Sequence, residues 1–426
     1  MLIAAFLVLI LIRIPVAFAL GIATIPVVLL ELRLTPFIVL DRMFQSYNSF
    51  ILLAVPFFLL AANLMNSGKV TDRLIELARV LTGWMPGGLG HVNVAVSMLF
   101  AGISGSSTAD AAGIGKILIP AMQKEGYDTR FAVAITACSS VMGVIIPPSI
   151  LMIVWGGVMQ VSVGSLFLGG AIPGLMIGLA LMATVYGFAK ARNYPVAATP
   201  NWGEFWAAWK GAALALLTPV FVIGGIVGGL VTPTESAIIA AFYALVLGMF
   251  VYRTVTPKDL GFILYDTARF AAISLFAIGT ASAFGWLLSF YNAPRLIVSL
   301  LTAWEFGPFG TALLIAGLFL VFGLFIDAIP TIIILGTVLM PVAQAGGVDP
   351  IAFAIIGIVS LAFGLVTPPY GLCLLISAAI GGLNVVQVMR ELIIILAPML
   401  AILILLAAFP EIILWLPKTL MPGAFR

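Results

Sequence analysis

The sequence predicts an all-α polytopic membrane protein with an inverted structural repeat and broken helices. Three observations carry that prediction. First, the 426 residues are 63% hydrophobic and only 8% charged, with a mean hydropathy of +1.25. A soluble domain carries roughly 25% charged residues, so this chain has too few polar side chains to cover a soluble surface. Second, the apolar residues form continuous runs. A transmembrane β-barrel alternates apolar and polar positions in short strands, so a helical bundle remains, with room for about a dozen crossings of about 20 residues each. Third, Gly, Pro and polar residues recur at one fixed offset between two distant regions.

The same composition excludes several function classes. The net charge is +3 and no block of like charges occurs. Nucleic-acid binding needs a clustered basic face, so nucleic acid is not an expected partner. Cys138 and Cys373 both lie in apolar segments and read as small core residues, not as a disulfide or metal pair. With a single histidine, His91, a transition-metal site is not expected. His91 itself reads as an interface residue and not as a proton relay. Residues 1–12 are apolar but lack a basic leading segment and a small-residue cleavage site, which reads as a retained first helix.

Taken in order, the first apolar stretch covers residues 2–32 and the second 37–64. Lys69 to Thr82 spaces its apolar residues at helical intervals with charges between them, the pattern of an amphipathic helix at the membrane interface. Long segments follow at about 165–190, 211–231, 235–252, 269–290 and 391–416. Tyr194 to Trp209 contains Pro195, Pro200 and three tryptophans and is the most linker-like stretch. Trp202, Trp206 and Trp209 suit an interfacial aromatic belt.

Two regions depart from plain spanning helices. One run is interrupted at Ser104 to Asp110 (SGSSTAD) and the next at Gly143 to Pro148 (GVIIPP). Further on, Gly323 to Thr331 breaks one run and Gly364 to Pro369 the next. Broken backbone at membrane depth survives only where protein or a wet cavity satisfies its freed polar groups. Adding 221 to the first region lands on the second: Gly102 on Gly323, Gly115 on Gly336, Pro120 on Pro341, Asp128 on Asp349, Gly143 on Gly364, and Pro147-Pro148 on Pro368-Pro369. The register holds without a gap for nearly fifty residues. A shift of 222 aligns Arg73-Leu74 with Arg295-Leu296 upstream. The first loop carries Lys124, Glu125, Asp128 and Arg130, whereas its counterpart at 345–351 has no Lys or Arg. Basic residues favour the cytoplasmic side, so the copies are expected to be inverted. Paired, interrupted segments of this kind point to a transport site near the midplane.

The polar residues at the breaks suit two ligands. Ser104, Ser106, Ser107 and Thr108 surround Gly105, and their hydroxyls with freed carbonyls are hard oxygen donors for a small cation. The start of the following half-helix offers N–H groups to an anion. Close helix packing through small residues is the competing account. Two prolines in succession force an unwound stretch with free carbonyls. Asp327 sits in an apolar run, where an ionisable group is costly and usually functional. Asp110 reads as a cap of its half-helix, and Glu235 as a first-turn acid after Thr232.

These residues also resemble a known family. AGISGSSTADAAGIGKILIPAM at 101–122, GYD at 126–128, SSVMGVIIPPS at 139–149, TPTESA at 232–237 and FGLVTPPYG at 363–371 resemble the large membrane subunit of tripartite ATP-independent periplasmic (TRAP) transporters, the DctM-like family. The resemblance covers essentially the whole chain. It implies an elevator-type secondary transporter of the bacterial inner membrane, coupled to Na⁺, with two re-entrant helical hairpins at the two interrupted regions. It implies partnership with a small four-helix membrane subunit and a periplasmic substrate-binding protein, and organic-acid substrates such as C4-dicarboxylates, sialic acid or other carboxylates. One Na⁺ site is then assigned to Ser104, Ser106, Gly143, Ile146 and Pro148, and a second to Phe325, Asp327, Gly364, Thr367 and Pro369. Substrate contacts are assigned to Ser106, Ser107, Thr108, Ser149, Asp327 and Thr331.

The expected division places scaffold helices and a first arm at 1–88, and the first hairpin with its broken helix at 89–160. Scaffold and a second arm occupy 161–308, the second hairpin and broken helix 309–380, and a scaffold helix 381–426. Competing functions are a self-sufficient carboxylate carrier without a binding protein and an intramembrane enzyme. The enzyme would need a nucleophile with a base, a carboxylate pair or a metal cluster, and none is evident.

Overall fold

The computed structural model describes every residue except Arg13, Pro36, Ala197, Leu296, Ile297, residues 300–305 and Arg426. No strand occurs among the described residues. Among the described residues, seven helices are long and apolar enough to cross a bilayer, including Val163–Arg192, Trp202–Val227, Pro257–Phe290 and Val385–Ala408, and eight shorter apolar helices accompany them. At 1.5 Å per residue, the 30 residues of Val163–Arg192 reach about 45 Å, more than a hydrocarbon core of about 30 Å requires.

Where the helices begin differs from the sequence reading at three places, each for a local reason. The apolar stretch 2–32 is two helices, α1 (Leu2–Leu11) and α2 (Val16–Leu30), because Pro15 starts the second and cannot continue the first. After α3 (Ile38–Tyr47), α4 (Ala54–Ser67) and α5 (Val70–Thr82), the chain enters the first hairpin region. Tyr194 to Trp209 is only partly a linker. Asn201 and Glu204 form a reciprocal capping box that opens a helix at Trp202, so the three tryptophans ride on its first turns, with Trp202 73% exposed. The segment expected near 269–290 starts at Pro257, because Thr256 and Asp259 form another capping box. Glu235 completes a third box with Thr232, at 2.7 Å from the Thr232 N–H, the structural role expected of it.

The two hairpin regions share one arrangement. In the first, α6 (Gly88–Ser104) turns into α7 (Ser107–Lys124), followed by α8 (Thr129–Ser140), a 3-10 turn (Val141–Val144) and α9 (Ile150–Met159). Between the regions lie α10 (Val163–Arg192), α11 (Trp202–Val227), α12 (Pro233–Val246) and α13 (Pro257–Phe290). In the second, α14 (Pro308–Gly323) turns into α15 (Ala328–Ala345), followed by α16 (Pro350–Gly364) and α17 (Leu372–Gly381). The bounds of α7 and α15 match residue for residue at the 221 offset. So do the cis bonds Pro147-Pro148 and Pro368-Pro369 and the left-handed glycines Gly126 and Gly347. Asp128 caps α8 through the Arg130 N–H at 2.9 Å, and Asp349 caps α16 through the Ile351 N–H at 2.8 Å. Helices α18 (Val385–Ala408) and α19 (Glu411–Leu420) close the chain.

Each hairpin packs on the broken helix of the other copy: α7 against α17, and α15 against α9. The contact is reciprocal to single residues. A Cβ at Gly115 would stand 3.1 Å from the Ile380 side chain, and one at Gly336 would stand 2.7 Å from that of Met159. Gly115 and Gly336 are repeat mates, and so are Met159 and Ile380. The interiors differ. Asn93, Thr136, Ser97 and Ser139 form a buried polar network between α6 and α8, with Asn93 2.7 Å from Thr136. The second copy packs Phe319, Phe353 and Gly357 on Trp155 of the first copy's α9.

Around these regions, α10 packs on α6, α8, α9 and α16, and α18 on α8, α14 and α16. The amphipathic α5 lies against α6 and α11 and buries Leu74, Leu77 and Ala78. Its expected counterpart near Arg295 includes Leu296, which lies outside the described residues.

Candidate functional site

The first tip is two residues long. Helix α6 ends at Ser104, Gly105 turns in the left-handed region (φ +61°), and Ser106 is extended before α7. A glycine is required at 105 both for that φ and because the Pro148 carbonyl oxygen lies 3.0 Å from where a Cβ would stand. Across from the tip, the stretch Ile145 to Pro148 is unwound, and Ser149 caps α9. Main chain meets main chain there: the Ile150 N–H donates to the Gly105 carbonyl at 3.3 Å. Ser107 Oγ donates to the Val141 carbonyl at 3.3 Å, and Ser149 Oγ to the Val144 carbonyl at 2.7 Å.

Asp110 lies at the centre of this tip. It is fully buried, Ser104 Oγ donates to its Oδ1, and its Oδ2 has no hydrogen-bond partner among the described residues. It does not cap α7, as the sequence reading had it. The cap position belongs to Ser106, and Asp110 sits a turn further in and bonds back to Ser104. Gly143 faces the same carboxylate, with the Ser106 carbonyl carbon 3.1 Å from its would-be Cβ. Ser104, Ser106, Asp110 and Gly143 are thus brought together. Thr108 Oγ1 lies 3.2 Å from Ser106 Oγ. Ile146 instead packs its side chain on Gly174 of α10.

At the second tip, α14 ends at Gly323 and Asp327 caps α15, its Oδ1 accepting from the Ala328 N–H at 2.9 Å. The Tyr370 N–H donates to the Leu324 carbonyl at 3.0 Å, again joining tip to break. Gly364 packs backbone to backbone on Gly323, whose carbonyl carbon is 2.6 Å from its would-be Cβ. Thr331 Oγ1 donates to the Asp327 carbonyl at 2.9 Å and Thr367 Oγ1 to the Phe363 carbonyl at 2.7 Å. The Phe325 side chain is 52% exposed and Pro369 is exposed.

The chemistry common to both tips is an excess of acceptors. The Ser104, Ser107, Ser149, Thr331 and Thr367 protons are all committed to protein oxygens. Their lone pairs and the carboxylates of Asp110 and Asp327 remain, a donor set suited to a hard cation. Asp110 is the residue that reading by motif leaves out. The repeat register could have found it: Ser106 and Asp110 of the first tip stand where Asp327 and Thr331 stand in the second. Each tip holds one carboxylate and one hydroxyl a helical turn apart, in exchanged order.

Other residues fall outside the tips. His91 is fully buried in α6. Cys138 and Cys373 are buried and free. Among the described residues no three of His, Cys, Asp and Glu cluster.

Residues 3–412 match the family profile of the tripartite ATP-independent periplasmic transporter, DctM component. The chain belongs to the DctM family. This DctM chain is 38% identical over 378 residues to the sialic acid TRAP transporter large permease protein SiaM of Vibrio cholerae, covering 89% of this chain and 88% of that one. It is 33% identical over 429 residues to the C4-dicarboxylate TRAP transporter large permease protein DctM of Vibrio cholerae, covering 96% and 95%. In fold it is similar to the crystal structure of the Alcanivorax borkumensis YdaH transporter, at a TM-score of 0.66 and 16% identity over 95% of this chain and 97% of that one. It is a multi-pass membrane protein of a transporter permease family, and not an enzyme.

Proposed function

We propose that this DctM chain is the large permease subunit of a Na⁺-coupled, binding-protein-dependent importer of organic acids in the bacterial inner membrane. The observation that carries the reading is the pair of acceptor-rich tips, each facing an unwound, proline-paired segment and each holding one carboxylate. Na⁺ is taken at the first tip by Ser104, Ser106 and the carbonyls of Gly143, Ile146 and Pro148, with Asp110 supplying the balancing charge. At the second it is taken by Asp327, Thr367 and the backbone of Phe325, Gly364 and Pro369. The substrate lies between, touching Ser106, Ser107, Thr108, Ser149, Asp327 and Thr331. The relatives named for sialic acid and for C4-dicarboxylates support an organic anion as cargo.

The hairpins are re-entrant and the two copies inverted, with the Lys124 to Arg130 loop cytoplasmic. The reciprocal packing of α7 on α17 and α15 on α9 supports one compact moving body that slides past the outer helices as an elevator. A small four-helix subunit and the bilayer cover the outer apolar face, and a periplasmic binding protein delivers the substrate. Uptake of labelled acid into proteoliposomes holding the chain with its partner subunit, with and without binding protein and a sodium gradient, tests this. Accumulation that requires both supports the reading. Accumulation without binding protein identifies a self-sufficient carrier, and sodium-independent uptake overturns the coupling.

A further inference from the structure

A groove of about 430 Å³ runs between α10 and α18, outside both hairpin regions. It is lined by Thr184, Gly187, Phe188 and Ala191 of α10 and by Ile394 and Pro398 of α18. Thr184 and Ala191 are seven residues apart on one helix, so the groove is about 10 Å long. Its depth comes from Gly187, where a Cβ would have nothing within 4 Å. The lining is apolar. The Thr184 hydroxyl donates to the Ala180 carbonyl at 2.8 Å, and no other lining side chain is polar. Ile394 is 46% exposed, and Gly187 and Ala191 are exposed, so the groove opens on the outer surface of the chain.

One end of the groove is charged. Arg192, the last residue of α10, bonds to Asp128 at 3.0 Å and to Glu391 of α18 at 2.9 Å, and its guanidinium lies 5.0 Å from the centroid of the Phe188 ring. This bridge ties the two helices together at that end. Both carboxylates are spent on Arg192, and the second Glu391 oxygen is buried. Two cations remain beside the bridge. Arg390 stands one helical turn before Ile394 and two before Pro398, so all three share a face of α18. Lys190 adjoins Ala191, its ammonium 4.8 Å from the centroid of the Tyr186 ring. Arg390 and Lys190 are exposed, and neither makes an ion pair among the described residues. Basic residues at the end of a cleft between membrane helices attract anionic headgroups, and a guanidinium fork matches phosphate. A small free anion would leave the apolar groove empty, and a bare hydrocarbon chain would leave the cations unmatched. A phospholipid uses both.

We propose that this groove binds one anionic phospholipid, with its phosphate on Arg390 and Lys190 and one acyl chain along Gly187 and Ile394. The lipid staples α10, which packs on α6, α8, α9 and α16, to α18, which packs on α8, α14 and α16. Its headgroup lies on the membrane side of the Lys124 to Arg130 loop, because Asp128 of that loop meets Arg192. The full chain, purified in detergent and stripped of lipid, is titrated with dioleoyl phosphatidylglycerol or dioleoyl phosphatidylcholine, following native mass spectrometry and thermal melting. One phosphatidylglycerol per chain is expected to bind at least fivefold more tightly than phosphatidylcholine and to raise the melting temperature. Arg390→Gln should weaken that binding at least fivefold. Lys258→Gln, which removes an exposed cation at the start of α13, should leave it unchanged. Gly187→Leu fills the groove where the backbone leaves open space, so it should fold normally and lose the tightly bound lipid. Equal affinity for the two lipids, or equal losses in Arg390→Gln and Lys258→Gln, overturns the site. Unchanged binding by Gly187→Leu overturns the placement of the chain in the groove. Sodium phosphate that raises the melting temperature as much as the lipid leaves an anion site and overturns the lipid. Loss of the bound lipid on purification with the small membrane subunit assigns the groove to a helix of that subunit and overturns the proposal.

Discussion

Gly143 and Asp110 are in contact across the first break: the Asp110 carboxylate fills the space a side chain at 143 would need. Gly143→Ala is therefore expected to push the carboxylate aside and raise the sodium concentration for half-maximal uptake about tenfold or more. Gly113→Ala, where only Asn66 Oδ1 comes as close as 3.6 Å, serves as control. Sodium titration of uptake checks it, and equal midpoints for the two variants would remove Asp110 from the site.

Ser106→Ala and Thr367→Ala each delete one oxygen from a different tip. Both should need more sodium for half-maximal uptake while keeping their maximal rate at saturating sodium. Sodium dependence unchanged in both variants would refute the two cation assignments.

Asp327→Asn preserves shape and retains an acceptor oxygen for the Ala328 N–H, but it removes the charge. The variant should insert and purify as the native chain does and transport at a few per cent of its rate. Native-level uptake would mean the charge is dispensable at the second tip.

Arg192 bridges Asp128 at 3.0 Å and Glu391 at 2.9 Å, and the Glu391 side chain is 3% exposed. It ties the start of α8 to the ends of α10 and α18. Arg192→Ala strands a buried carboxylate, and removing one partner of a buried pair costs about 3–5 kcal/mol. A melting temperature several degrees lower is expected, with most of the loss recovered in Arg192→Ala combined with Glu391→Gln. No change in melting would place the pair in solvent.

An elevator and a rocking carrier differ in how deep the tips travel. A cysteine at Ser106 paired with cysteines along α13 should cross-link at two positions many ångströms apart along the helix, in different states of the cycle. A single fixed partner while access alternates favours rocking.

Class and repeat were legible because composition and offset are properties of the chain alone. Too few charges exist to cover a soluble surface, and glycines, prolines and aspartates hold one register through Gly126 and Gly347 and through Asp128 and Asp349, where backbone geometry demands them. The start of α13 was less legible, because a capping box at Thr256 carries a helix through polar residues that hydropathy reads as its end. The role of Asp110 was illegible from its own segment, since position in the first turn suits a cap and a buried ligand equally.

By itself the sequence determined a membrane-embedded helical protein with two equivalent broken regions, since apolar runs and paired prolines dictate both. Tertiary structure alone decided which residues meet across the breaks. Gly143 reaches Asp110, Gly364 reaches Gly323, and Gly115 and Gly336 each reach the other copy's helix. Arg42 reaches Trp286 across 244 residues of chain. Such contacts depend on how helices distant in sequence are packed, and local spacing carries no information about that.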